Sequence, residues 1–282
     1  AMLMTNTSKG HSYTLNATMN MEPVRNLNLM ASYTYTRSRT LSNNASNQIE
    51  NAWQQEPSVQ GANYLSMHNA SYLDSPHRVI ASASYTIEYA RNFATGISLS
   101  YTYLIDVDLN NDGSQYDLMY IPATRDELNF TDLKKTDGTV LFPVAEQREA
   151  FWAFVEQDPY LRKRKGKYAE TNGAFRPWYH RFDLRVVQDF KVKAGKTTNT
   201  LQLSVDIMNI GNLLNDAWGV PKGSTINKPL QYKGLNEKNE PIYTMGTLTE
   251  DGETILPYRS FAPVRSSVNC WQLQFGIRYI FN

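Results

Sequence analysis

The sequence predicts an all-β fold, namely about seven strands of a transmembrane antiparallel β-barrel with long loops on one side. Three observations predict it. Seven segments alternate apolar and polar residues with period two, the mark of strands with two unlike faces. These segments run roughly 10–13 residues, against a mean of about 5–6 in soluble sheets, and a tilted strand crossing a bilayer needs about 9–11. Finally, every second connection is long, as in membrane barrels with short turns on one side and long loops on the other. A soluble sandwich has no reason to keep that rhythm.

The first strand is expected near 11–22, with Tyr13, Leu15, Ala17, Met19 and Met21 on one face and Thr14, Asn16, Thr18 and Asn20 on the other. The second, near 26–38, sets Leu27, Leu29, Ala31, Tyr33 and Tyr35 against Asn28, Ser32, Thr34 and Thr36. The third, near 77–89, sets Val79, Ala81, Ala83, Tyr85, Ile87 and Tyr89 against Ser82, Ser84, Thr86 and Glu88. The fourth, near 93–105, sets Phe93, Ile97, Leu99, Tyr101 and Tyr103 against Gly96, Ser98, Ser100 and Thr102. The fifth, near 178–190, opposes Phe182, Leu184, Val186 and Phe190 to Arg181, Asp183, Arg185 and Asp189. The sixth, near 199–210, opposes Leu201, Leu203, Val205 and Ile207 to Gln202, Ser204 and Asp206. The last, near 270–281, opposes Trp271, Leu273, Phe275, Ile277, Tyr279 and Phe281 to Gln272, Gln274 and Arg278. Short connections are expected near 22–25, 90–92 and 191–198, and long ones near 39–76, 106–177 and 211–269.

Short turns mark the periplasmic side and long loops the outside, which runs the last strand inward. Aromatic residues then gather at two levels. Tyr33, Tyr35, Tyr101, Tyr103 and Trp271 lie toward the loops, and Tyr89, Phe93, Phe190, Tyr279 and Phe281 toward the turns. That matches the two aromatic girdles of membrane barrels. Arg181, Asp183, Arg185, Asp206 and Arg278 are expected to face the barrel interior, in polar contact with whatever fills it. Seven strands leave two unpaired edges, and lipid satisfies neither, so further strands upstream are expected to complete the ring.

Composition narrows the function classes. Lys and Arg total 28 against 27 Asp and Glu, so no global basic field argues for nucleic acid. The single Cys270 excludes a disulfide framework within the chain. No run of about 18 apolar residues is present to form a transmembrane helix, and a mean hydropathy of −0.50 suits alternating strands. The first residues lack the basic start and apolar run of a signal peptide, which suggests a mature product or a fragment. His11, His68, His77 and His180 share no zinc spacing, and neither a phosphate-cradling Gly loop nor a Gly-x-Ser-x-Gly elbow occurs. No enzymatic activity is expected.

The chain ends in Gln274-Phe-Gly276-Ile-Arg-Tyr279-Ile-Phe281. Polar Gln274, Gly276, aromatic Tyr279 and Phe281 at this spacing resemble the terminal signal read by the barrel-assembly machinery. Further stretches resemble the last third of TonB-dependent receptors of the Bacteroidota, in the Oar-like branch related to the SusC group. They are Ser75-Pro-His-Arg-Val79, Asp117-Leu-Met-Tyr-Ile-Pro122, the run from Tyr160 to Gly173, Arg181-Phe-Asp-Leu184, Asp206-Ile-Met-Asn-Ile-Gly-Asn212 and the ending itself. Together they span most of residues 75–282. The resemblance implies a barrel of roughly 22 strands in the bacterial outer membrane. It also implies an N-terminal plug and import of a bound ligand with energy from TonB. On that reading the whole chain, 1–282, is a C-terminal segment of one barrel domain, without plug or TonB-contacting part. Expected partners are outer-membrane lipid and lipopolysaccharide, the rest of the barrel and plug in the same or a separate chain, TonB through the absent part, and a surface lipoprotein. Two alternatives stay open: an outer-membrane adhesin or scaffold barrel without transport, and a soluble all-β surface-binding module.

Three loop features are further candidates. Asp108, Asn110 and Asp112, followed by Gly113, place oxygen donors at alternate positions like the first half of a calcium loop, and Asp117 offers another. Met119 stands where an EF-hand has its bidentate Glu, so any Ca²⁺ site is shortened. A plain Asn/Asp/Gly turn accounts for the same residues slightly better. Arg162-Lys-Arg-Lys165 with Lys167 form a basic run, read either as a solvated loop or as a contact for lipopolysaccharide phosphates or an acidic ligand. Residues 144–157 fit a short helix whose Val144, Phe151, Phe154 and Val155 make one apolar stripe. Trp152 on that helix is a candidate ligand contact.

Overall fold

The structure, a computed structural model, describes residues 5–42, 47–54, 56, 58–61, 63–70, 76–105, 107–108 and 118–281, with the backbone alone of Gln54, Ile105, Val107 and Asp108. Seven long strands form one antiparallel meander: β1 (His11–Val24), β2 (Leu27–Thr40), β3 (His77–Tyr89), β4 (Phe93–Ile105), β5 (Tyr179–Ala194), β6 (Thr197–Met208) and β7 (Gln272–Phe281). Each pairs with its neighbours in sequence. Among the described residues, β1 pairs only with β2 and β7 only with β6, apart from short pieces, so the sheet is open at both edges.

All seven expected strands are present, and their ends differ by a few residues. The fifth runs on to Ala194, which shrinks the expected 191–198 connection to Gly195 and Lys196. Gly195 takes φ +63°, a conformation glycine adopts without a Cβ penalty. Asn26, at φ +66°, makes the β1–β2 turn, where its N–H donates to Glu22 Oε1 at 2.9 Å. The sixth strand stops at Met208 because Asn209 turns left-handed at φ +55°. The short helix α4 (Ile210–Leu214) follows, while α1 (Ile49–Gln54) lies in the first long connection. The last strand begins at Gln272, so Cys270 and Trp271 precede it.

A one-residue slip in any pairing would turn a strand's side chains over. The registers avoid this along the sheet, with one shift between Met21 and Val24 at the β1–β2 turn. Met21 faces Leu29, Leu29 faces Ala83, Ala83 faces Leu99, Leu99 faces Leu184, Leu184 faces Ile207 and Ile207 faces Leu273. One row of apolar residues therefore runs unbroken across the sheet. Behind it, Ser84 pairs with Ser98, Ser98 with Arg185, Arg185 with Asp206 and Asp206 with Gln274.

The buried core is not in this sheet. Among the described residues of the seven strands only Ala94 and Thr200 are buried. The main apolar cluster lies in the long connections: Met119, Ile121, Leu128, Phe130, Phe151, Phe154, Val155, Leu161, Ala169 and Met245. Helix α2 (Val144–Gln157) supplies its centre through Phe151, Phe154 and Val155, with Val144 packed at the margin, as its stripe predicts. The α3 helix (Pro159–Lys163) follows, capped by the Asp158 carboxylate, which accepts from the N–H groups of Tyr160 and Leu161.

Three contacts make one lobe of the three long connections. Asn69 and Asn172 exchange side-chain to backbone hydrogen bonds at 2.9 and 3.0 Å, joining the first to the second. Gln157 Nε2 donates to Ser260 Oγ at 2.8 Å, joining the second to the third. Gln147, wholly buried, donates Nε2 to the carbonyls of Thr131 and Phe142 and accepts from the Met245 N–H, each at 2.9 Å. Replacing Gln147 with Leu leaves those buried groups unpaired, at about 1–3 kcal/mol each. Hydrogen exchange should show faster exchange at Met245 and through α2, with the β5–β6 amides unchanged.

Candidate functional site

The feature that demands a function is the bare apolar face. Leu15 is 63% exposed, Met19 54%, Phe275 72% and Ile277 79%. No layer of the described chain covers them. Soluble monomers rarely expose contiguous apolar patches beyond a few hundred Å².

Aromatic rings border this face at both ends. At the loop end, Tyr13 meets Tyr35 at 6.0 Å between centroids, Tyr35 meets His77 at 5.1 Å, and His77 meets Trp178 at 5.8 Å. The belt continues through Trp178 stacked on Tyr103 at 3.8 Å and Tyr101 against Phe182 at 4.7 Å. The polar tips find partners, as amphipathic rings require. Tyr33 Oη pairs with His77 Nδ1, and Tyr101 Oη with His180 Nδ1, both at 2.8 Å. His77 and His180 thus belong to this belt, a role their scattered sequence positions do not reveal. At the turn end, Tyr89 stacks on Phe93, which meets Phe190 edge-on, and Tyr279 packs against Phe281. Thr95 and Gln188 interrupt the apolar face here, but Tyr89 Oη, Thr95 Oγ1 and the Gln188 amide satisfy one another. From Phe93 to Tyr103 the strand advances ten residue steps, about 33 Å at 3.3 Å per step.

The opposite face carries the charges the alternation assigns to it. Arg181 Nε lies 2.8 Å from Asp183 Oδ1, Arg185 Nε 3.5 Å from Asp206 Oδ1, and Gln202 donates to Asp189 at 2.8 Å. Arg278 is exposed on the same face, in register with Gln202. Asp183 also accepts the Asn209 N–H through the same Oδ1 at 2.7 Å, fixing the point where β6 gives way to loop. Asn209 is a hub that sequence reasoning left unassigned. Its Nδ2 donates to the carbonyls of Gly219 and Asn269, so it ties both ends of the third long connection together.

The terminal residues divide between the faces. Gln274 and Gly276 lie on the polar side opposite Asp206 and Ser204, and Tyr279 and Phe281 on the apolar side. Tyr279 Oη donates to Asn199 Oδ1 at 2.5 Å.

The loop candidates fare differently. Asn110, Asp112 and Asp117 lie outside the described residues, and Asp108 is described by its backbone alone, paired with Ala174. Met119 is buried in the lobe core, and its carbonyl accepts from the Ala169 N–H at 2.8 Å. Its side chain is therefore committed to packing. Among the described residues no group of three or more His, Cys, Asp or Glu is placed to hold a metal. Within the basic run, Arg164 pairs with Glu170 and donates twice to the Tyr168 carbonyl. Lys165 pairs with Glu156 and sits 4.1 Å from the Trp152 ring centre. Trp152 thus already holds an internal cation. Arg162, Lys163 and Lys167 remain exposed.

Glu127 clasps the turn at the lobe's edge. Its carboxylate accepts from Tyr120 Oη and the Ala123 N–H, both at 2.5 Å, and more weakly from Thr124. These bonds, the Tyr120 hydroxyl first, hold its pKa below the usual carboxylate value. A lowered folded pKa stabilises the turn above the unfolded value, near 4.3, and that contribution is lost as pH falls through the folded value. Amide protection at Ala123 should therefore fall on acidification below pH about 4, and Glu127→Gln should flatten that response.

No protein-family model, curated protein or solved structure matches the chain.

Proposed function

We propose that the chain forms seven consecutive strands of the wall of a TonB-dependent transporter in the bacterial outer membrane. One observation carries this reading: an exposed apolar face continuous across all seven strands, bounded at both ends by aromatic rings. A strand span of about 33 Å, tilted as barrel strands are, rises about 25 Å, the height of the apolar band in outer-membrane barrels. The open edges of β1 and β7 support a sheet completed by further strands, since lipid leaves no unpaired backbone unpunished. The polar face then lines the lumen, where Arg181, Asp183, Arg185, Asp206 and Arg278 meet a plug or ordered water.

The lobe built from the long connections lies outside the cell on this reading and shapes the entrance for the imported ligand. The terminal pattern from Gln274 to Phe281 serves assembly. TonB dependence and transport rest on the sequence resemblance; the physical features argue for the membrane wall. The chain performs no chemistry of its own. Its partners are lipid and lipopolysaccharide, the rest of the barrel and plug, TonB through that plug, and a surface lipoprotein at the lobe.

Placing Arg at Leu203, mid-face, should cost about 2–4 kcal/mol of folding stability in bilayers. Ser204→Arg should cost much less, because Ser204 points to the polar side opposite Gly276. Equal costs, read from denaturant titrations of the complete protein in vesicles, would reverse the face assignment. Calcium at Asp108, Asn110, Asp112 and Asp117 is a separate proposal, drawn from the sequence alone. Chelation should expose 106–122 to protease, and an unchanged digestion pattern removes the site.

A further inference from the structure

The loop that follows α4 folds back beside the apolar face and leaves a groove of about 640 Å³. Tyr101, Trp178 and Phe182 of the loop-end belt form one wall, and Trp218 and Val220 form the other. Lys222 stands at its rim, exposed, with no carboxylate partner among the described residues. Asn209 holds the second wall in place through the Gly219 carbonyl. Gly219 is required there: it takes φ +61°, and a Cβ would lie 1.8 Å from Asn209 Oδ1.

The groove is thus a built feature, continuous with the bare apolar face and level with its aromatic border. Its size suits a small ligand. Its walls accept a chain of methylenes, and the Lys222 ammonium stands where a headgroup would lie. We propose that this groove binds one anionic membrane lipid, with an acyl chain between Trp218 and Phe182 and the phosphate at Lys222. The inference rests on the membrane reading above. Lysine suits a phosphate there as a compact point charge on a flexible stem.

Native mass spectrometry of the complete protein in detergent tests it, with phosphatidylglycerol and phosphatidylcholine of identical chains as probes. The wild type should retain phosphatidylglycerol about tenfold better, because the choline cation of the other lipid offsets the phosphate charge that Lys222 meets. Lys222→Gln should abolish that preference and still retain lipid. Trp218→Ala should lower retention of both lipids. Circular dichroism of each variant checks that the β structure is intact. Equal retention of the two lipids by the wild type, or a preference that survives Lys222→Gln, overturns the lipid site alone. A dimer of the chain without lipid adducts, seated through Trp218, also overturns it. A protein that stays monodisperse without detergent overturns the membrane reading with it.

Discussion

Everything in this structure depends on register. Seven strands, each with one apolar and one polar edge, make a single two-faced surface only if every pairing is in step. Six successive pairings meet that condition. The consequence is a sheet whose greasy side is continuous and whose other side carries Arg, Asp, Asn, Ser and Thr in hydrogen-bonded rows, such as Asn16 with Thr34 at 2.8 Å. Among the described residues of the strands, neither side is buried apart from Ala94 and Thr200. A soluble β protein would use such a sheet to build a core, whereas here the core sits elsewhere.

That displacement makes sense of the long connections. They are not slack between strands. Their apolar residues, from Met119 to Met245, close around α2, and their polar residues lock one connection to the next. Gln147 is the clearest case, since one amide satisfies backbone groups from three separate segments. The core of this lobe takes no residue from the seven strands.

The strands were legible in the sequence because period-two alternation is a local signal. The stripe of α2 was legible for the same reason. The pairing of Asn69 with Asn172 was not, because nothing local marks two asparagines 103 residues apart as partners. Gln147 is equally hidden, as a polar residue on an apolar stripe reads as a break in the pattern. Asn209 lies within the Asp206-to-Asn212 stretch, yet its work depends on a left-handed backbone and on Gly219, which only the fold brings together. Spacing along the chain tests the belt histidines for metal binding alone, whereas their role comes from neighbouring strands. The groove beside Trp218 needs both a strand edge and a returning loop, so no single stretch of sequence contains it.

The lobe's shared core has a consequence for how the protein is made. Phe151 and Met245 come from the second and third connections, with all of β5 and β6 between them. The contact is therefore strongly non-local and forms only after a large loop has closed. Phe130 and Leu161 of its own connection already pack against the apolar stripe of α2, whereas the Gln147 amide depends on the Met245 donor from beyond β6. The lobe's core thus ties the second connection to the third through a contact of high sequence separation, the kind that slows folding.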